Sequence, residues 1–308
     1  MLIKIKNRLF GRRNPDLLKE KCAELKHLRN ISSEVVIYGS PTQGNWLGIA
    51  NATTSLFADA AYAFPQEYSN NVFNNKEFEA WKKQLLNLEF QKITFSGFAY
   101  FFFDVIEEIG NELQIEIIFH GTISEFHDPA KQKWIGKMIQ LTKANKIKRI
   151  GFVKEGMAET FSKLYNFDCF HVPLPTPQIP KNIKKLELDR SKLHIGVFGA
   201  DTFNKNLHNQ VIHALLIENA VVHVLDKSIF AYLGMNDRIV EHGKNLPREK
   251  FLGILGSMDL NLYMSYSESW GLVAYESEVM GVPCINQETI DYFSKMKSTI
   301  SVCKCEKE

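Results

Sequence analysis

The sequence predicts an α/β fold built on two parallel, doubly wound sheets. Short apolar runs recur along the chain with helical stretches between them. The runs are nearly continuous rather than alternating, as strands buried on both faces tend to be. A stretch without periodicity, HVPLPTPQIPKN (171–182), interrupts this alternation once and carries four prolines.

In the first half VVIY (35–38), KITF (92–95), IEIIF (115–119) and RIGFV (149–153) read as strands. In the second half LHIGVFG (193–199), VVHVLD (221–226), RIVEHG (238–243), DLNLYMS (259–265) and VPCIN (282–286) follow, and KSTISVCK (297–304) reads as a last one. Their β-branched and aromatic content suits a pleated, buried surface. Helices fit between them at 98–110, 130–145, 155–165, 206–218, 247–257 and 270–280. Strands alternating with helices imply βαβ units and parallel sheets. Proline fixes φ and removes a ladder donor, so the stretch 171–182 reads as a linker. The chain accordingly divides near Pro177 into two Rossmann-like halves, residues 1–176 and 177–308.

The 308 residues are 45% hydrophobic, enough for two cores, and the formal net charge is only +2. That balance does not point to nucleic acid. Charge is uneven, however. Seven basic residues and no acidic one lie between Ala130 and Ile150, on a stretch that also spaces Trp134, Ile135, Met138, Ile139 and Leu141 at helical intervals. Such a helix either packs its stripe on a sheet or rests on an anionic membrane surface. The cysteines, Cys22, Cys169, Cys284, Cys303 and Cys305, form neither a disulfide framework nor a zinc site. A reducing compartment fits them, so the expectation is a cytoplasmic protein, at most peripheral on the inner membrane face. GFAYFFFDVI (97–106), the most apolar window, is too short to span a bilayer. There is no GxGxxG after a strand and no GxxxxGK[ST], which removes the usual signatures of nicotinamide and P-loop enzymes.

The chemistry concentrates in SESWGLVAYESEVMGVPCI (267–285). DLNLYMS is a strand, so Glu268 follows at its carboxyl end, where doubly wound sheets bind ligands. A helix starting near Trp270 or Gly271 would aim free amides and a positive dipole end at a diphosphate. Carboxylates repel phosphate but accept hydrogen bonds from vicinal diols. Glu268 and Glu276 therefore suit the two sugars of a nucleotide sugar. The plainer alternative stays open, in which Glu268 caps the helix and Glu276 is exposed or salt-bridged.

ESWGLVAYESEVMGVPCI closely resembles the signature of GT-B retaining glycosyltransferases of the E-x7-E type, the family that includes sucrose synthases and mannosyltransferases. The resemblance covers the two glutamates, the turn Trp270-Gly271-Leu272 and the run from Gly281 to Ile285. It implies two Rossmann-like domains facing across a cleft, here with a short C-terminal domain. It also implies transfer, with retention, of a sugar from a nucleoside diphosphate, UDP first among them, to a glycan, lipid-linked or protein acceptor. No cofactor or metal is implied, the nucleotide sugar being a substrate.

By the same resemblance Glu268 would contact the transferred sugar and Glu276 the ribose, while amides around Gly271 and Leu272, beside Trp270, hold the diphosphate. Lys205 in ADTFNKN matches the family's phosphate-neutralising lysine. Ala200 stands where the family has arginine. Either another base such as Arg248 compensates, although Arg248 also reads as a surface residue in a first helical turn, or turnover is weak. EHGKNLPREKF (241–251) resembles the loop framing the base, with Gly243 and Leu246 nearest it. His120, directly after IEIIF, matches a histidine near the donor sugar, or serves as a local hydrogen-bonding residue. Gly39 and Gly44 in YGSPTQGNW (38–46) fit a glycine loop near the diphosphate, or simply a tight turn.

Ala200 and the short C-terminus keep a second reading open, a non-catalytic GT-B subunit that stabilises or positions a partner transferase. Either a homo- or hetero-oligomer or a membrane would then cover the short domain.

Overall fold

A computed structural model of the chain describes residues 15–40, 47–65, 75–174, 179–235, 237–244, 246–287 and 299–301. The chain splits into two compact units. One comprises the described residues within Met1–Thr42, Trp46–Phe119 and Trp134–Ile150, and the other those within Gln43–Asn45, His120–Lys133 and Gly151–Glu308. The boundary expected near Pro177 falls in 175–178, outside the described residues.

The first sheet holds β1 (Glu34–Gly39), β2 (Ala61–Phe64), β3 (Lys92–Ser96), β4 (Ile115–Phe119), β5 (Arg149–Phe152) and β6 (Cys169–His171), in the order β2-β1-β3-β4-β5-β6. Pairings of β1 with β2, β1 with β3 and β3 with β4 are parallel. Every residue of β4 is buried, as its unbroken apolar run requires. The apolar window becomes the helix Tyr100–Ile109. Phe101, Phe102, Val105 and Ile106 are almost wholly buried in it, and the rings of Phe95 and Phe102 lie 4.8 Å apart.

The second sheet holds β7 (Leu193–Val197), β8 (Ala220–Val224), β9 (Ile239–Glu241), β10 (Leu260–Tyr263), β11 (Cys284–Asn286) and β12 (Thr299–Ser301), in the order β12-β11-β10-β7-β8-β9. Its pairs are parallel, with Ile195 opposite both Val222 and Leu260. One core packs Ile195, Val197, Val222 and Val224 against Val211 and Leu215 of the helix Leu207–Leu215. Another packs Phe198 against Ile254, Leu255, Met258 and Val282. From β7 the chain winds outward through β8 to β9, then returns to add β10 on the other side of β7. The order therefore reverses between β7 and β10, and the carboxyl ends of these two strands form the crevice where open α/β sheets bind ligands.

Close packing beneath that point depends on Gly196, where an added Cβ would lie 2.1 Å from Asn261 Oδ1 and 2.4 Å from the Phe198 ring. The lysine-rich helix, Pro129–Lys143, buries Ile135, Met138 and Leu141, so its apolar stripe packs within the protein. Lys137 lies 2.6 Å from Glu107, Lys131 pairs with Glu125, and Lys146 donates to the Glu107 carbonyl. No helix among the described residues is long and apolar enough to cross a membrane.

Candidate functional site

Two loops meet at the switch point of the second sheet. The first leaves β7 and makes a 3-10 turn over Phe203–Lys205 that ends at Asn206, whose φ is 52°. Asparagine tolerates this left-handed conformation better than most residues. The second loop leaves β10 and ends at Gly271, whose φ of 86° would strain any side chain. The helix Leu272–Val279 begins there, a residue or two later than the sequence suggests.

Side chains tie the loops together. Gln210, only 4% exposed, donates to Lys205 O at 2.7 Å and accepts from Met264 N at 2.9 Å. Asn206 donates to Met264 O, and Asn204 to Ser267 O. The amide of Tyr266 donates to Asn204 O at 2.8 Å.

This bracing brings Lys205 onto Glu268, with Nζ 2.5 Å from Oε1 and 3.4 Å from the Tyr263 hydroxyl. The glutamate side chain is 8% exposed and the lysine 22%. Burial pushes the Tyr263 phenol well above its ordinary value, and the Glu268 charge adds to this. The phenol thus stays protonated and accepts from Lys205. Lys205 and Glu268 line a cavity of about 420 Å³ together with Ala200, Thr122, Ser267 and Lys131. All of these residues belong to the second unit.

Glu276 lies elsewhere in the same unit. Its carboxylate is 2% exposed, and Arg248 Nη1 lies 2.6 Å from its Oε1. Arg248 Nη2 is buried without a hydrogen-bond partner among the described residues. Burial raises the Glu276 pKa, while Arg248 acts in the opposite sense. Glu276 is therefore salt-bridged in this structure, and Arg248, the alternative cation for the Ala200 gap, is engaged by it.

The other expected residues scatter. Trp270 is 8% exposed and packs edge-on to Tyr275 at 5.3 Å. Gly243 follows β9 with φ 95°, its amide donating to Leu225 O, and Leu246 packs on the core around Phe198. His120 sits half-buried at the carboxyl end of β4, and loss of hydration lowers its pKa to about 4, keeping the ring neutral. Gly39 is buried at the end of β1. Gly44 lies outside the described residues, as do Cys303 and Cys305. Sequence reasoning missed Tyr263, Gln210, Thr122 and Lys131. Tyr263 carried one usable signal, its place as the last residue of the strand leading to Glu268.

Among the described residues no group of three or more His, Cys, Asp or Glu side chains is arranged to hold a metal.

No protein-family model matches the chain, and no curated protein matches it. Solved structures do match. HepE from Anabaena, in complex with UDP and glucose, is 11% identical with a TM-score of 0.58, over 86% of this chain and 85% of that one. The sucrose-phosphate synthase of Thermosynechococcus elongatus is 11% identical with a TM-score of 0.55, over 84% of this chain and 82% of that one. WaaG, a glycosyltransferase involved in lipopolysaccharide biosynthesis, is 13% identical with a TM-score of 0.53, over 87% of this chain and 86% of that one. At such identities the likeness establishes the fold alone, an α/β architecture of two parallel sheets of the GT-B glycosyltransferase type.

Proposed function

We propose that the protein is a retaining glycosyltransferase of the E-x7-E type, which moves a sugar from a nucleoside diphosphate, UDP by preference, to a glycan, lipid-linked or protein acceptor. The observation that carries this reading is the buried Lys205–Glu268 pair, which lines a cavity at the switch point of the second sheet. A ribose diol donates to the Glu276 carboxylate, whose charge Arg248 balances.

In this reading the diphosphate lies at the start of the helix Leu272–Val279, where the first amides have no intrahelical acceptor. Lys205 turns from Glu268 to the departing phosphate, and Glu268 is freed for hydroxyls of the transferred sugar. The bond from the anomeric carbon to the phosphate oxygen breaks as the acceptor oxygen bonds to that carbon on the same face. The leaving phosphate takes the acceptor proton. Stabilising the charge that develops on this phosphate is the largest task of the site, and with Ala200 in the arginine position it rests on Lys205 and the helix start. No metal or cofactor is assigned a role. His120, Gly243 and Leu246 remain donor-side candidates on the strength of the sequence resemblance, with a domain division near Pro177. Contact with an anionic membrane would fall to the polar face of the lysine-rich helix, because its apolar stripe is buried.

The test is turnover. The purified chain is incubated with UDP-glucose, UDP-galactose, UDP-N-acetylglucosamine and GDP-mannose, and released nucleotide is followed with and without oligosaccharide acceptors. Release from one donor, reduced at least about a hundredfold in Glu268→Gln and Lys205→Ala, is the expected result. No release from any donor, or release indifferent to both substitutions, removes the proposal and leaves the non-catalytic subunit in its place.

A further inference from the structure

The loop after β7 carries an aromatic side chain that its fold does not bury. Phe203 is 69% exposed and Tyr266, from the loop after β10, is 45% exposed. Their ring centroids lie 5.3 Å apart at 35°, and the His127 ring flanks Phe203 at 5.4 Å. Single exposed hydrophobes need no explanation. Here three rings form a row, and two of them, Phe203 and His127, line the cavity that contains Lys205 and Glu268.

The row is held in place. Asn209 donates to the Tyr266 hydroxyl at 3.1 Å, the Tyr266 amide donates to Asn204 O, and Thr202 donates to Asn204 Oδ1 at 2.8 Å. A fixed aromatic surface beside a polar cavity is how proteins bind a ligand that is apolar on one side and polar at its rim.

Charge narrows the class of ligand. The cavity lining holds three carboxylates, Glu125, Asp128 and Glu268, against two ammonium groups, Lys131 and Lys205. Lys131 is already paired with Glu125. At the end lined by Glu125, Asp128 and Lys131 the carboxylates outnumber the ammonium group, which disfavours a phosphate or a nucleotide and suits a neutral molecule rich in hydroxyls, for which carboxylates are good acceptors. A pyranose ring has that form, with C–H groups on one face and hydroxyls around the edge.

We propose that Phe203, Tyr266 and His127 form a carbohydrate subsite, on which one pyranose ring stacks while its hydroxyls reach Glu125 and Asp128. That this sugar is the acceptor rests on the glycosyltransferase reading; that a sugar binds there does not.

The test is saturation-transfer NMR on the full chain, with methyl glycosides of glucose, galactose, mannose and N-acetylglucosamine as probes and UDP as a separate arm. Wild type should transfer saturation to the C–H protons of one ring face of at least one glycoside. Phe203→Ala should weaken that glycoside by about fivefold or more, while Phe203→Trp retains it. Because the side chain is exposed, Phe203→Ala should melt within about 2 °C of wild type, which separates lost binding from lost folding. Absence of transfer from every glycoside, or unchanged binding in Phe203→Ala, overturns the proposal. So does a Phe203→Ala variant that loses UDP and keeps the glycoside, since the row would then hold a base. If glycosides bind through Phe203 and UDP does not bind at all, the subsite stands and the donor reading falls.

Discussion

Arg248→Ala removes the guanidinium that lies 2.6 Å from Glu276 and leaves behind a carboxylate whose side chain is only 2% exposed. Truncating one member of a buried pair costs roughly 3–5 kcal/mol, mostly because the other charge is stranded. The Arg248 side chain is 32% exposed, so solvent already screens part of the interaction, and about 2–3 kcal/mol is the better figure at neutral pH. For a unit of this size that amounts to a melting-temperature drop of roughly 5–10 °C. The pH dependence gives the sharper readout. Burial holds the Glu276 pKa above its ordinary value and Arg248 pulls it down, so losing Arg248 raises it further. A group whose folded pKa exceeds its unfolded one stabilises fully below the unfolded pKa, and that stability is lost as pH rises through the folded one. The deficit of Arg248→Ala relative to wild type should therefore be small near pH 4.5 and grow towards pH 7.5. Urea denaturation at both pH values, with Glu276→Gln and the double variant alongside, measures this directly. Glu276→Gln should restore most of what Arg248→Ala loses. A deficit that is absent at pH 7.5, independent of pH, or unrelieved by Glu276→Gln would refute the pairing.

Gln210→Ala severs the hydrogen bonds that join the two loops and should cost about 2–3 kcal/mol in urea denaturation; a loss below about 0.5 kcal/mol would show that the loops hold without it. Gly196→Ala drives a methyl group into Asn261 Oδ1 and should destabilise by about 2 kcal/mol or more, read as a lowered melting temperature, and a neutral substitution would contradict that packing. His194, His223 and His242 form a chain of ring hydrogen bonds at 2.9 and 2.8 Å, ending with His194 Nε2 at 2.9 Å from Asp189 O. A carbonyl only accepts, so each neutral ring carries its proton on Nε2, and nitrogen NMR should find three Nε2–H tautomers. Burial, then the neighbouring His242 and His194, lower the His223 pKa to about 3. Its contribution is thus complete above the unfolded value near 6.5 and is lost as pH falls towards 3, by up to about 1.4 kcal/mol per pH unit. Unfolding midpoints that stay flat over that window would contradict a buried neutral ring.

The fold was legible wherever burial on both faces left an unbroken apolar run. KITF and IEIIF became β3 and β4 with almost the same limits, and the helices expected at 130–145 and 247–257 lie at Pro129–Lys143 and Arg248–Leu255. The element β2 escaped because it is only four residues, AYAF, with two of them buried. The helix Pro15–Ile31 escaped because charges outnumber the few apolar residues, such as Leu18 and Leu25, that it buries. The site was legible in its parts and not in its pairing. Lys205 meets Glu268 because β10 returns beside β7, and nothing local to either residue encodes that return. Gln210 bore no motif at all, since a helical glutamine acquires its role only from the two loops it faces. Arg248 read as a surface residue because its partner, Glu276, comes from another helix.

The central claim is that the Glu268–Glu276 segment binds a nucleotide sugar, and calorimetry of UDP and GDP on wild type and Glu276→Ala tests it most directly. One nucleotide should bind wild type, and at about a hundred times its dissociation constant it should stabilise the protein by roughly 2.7 kcal/mol. Glu276→Ala should lose at least about tenfold in affinity for it, as expected for one charge-assisted hydrogen bond. Heats indistinguishable from dilution for both nucleotides, or equal affinity in wild type and Glu276→Ala, would contradict the claim.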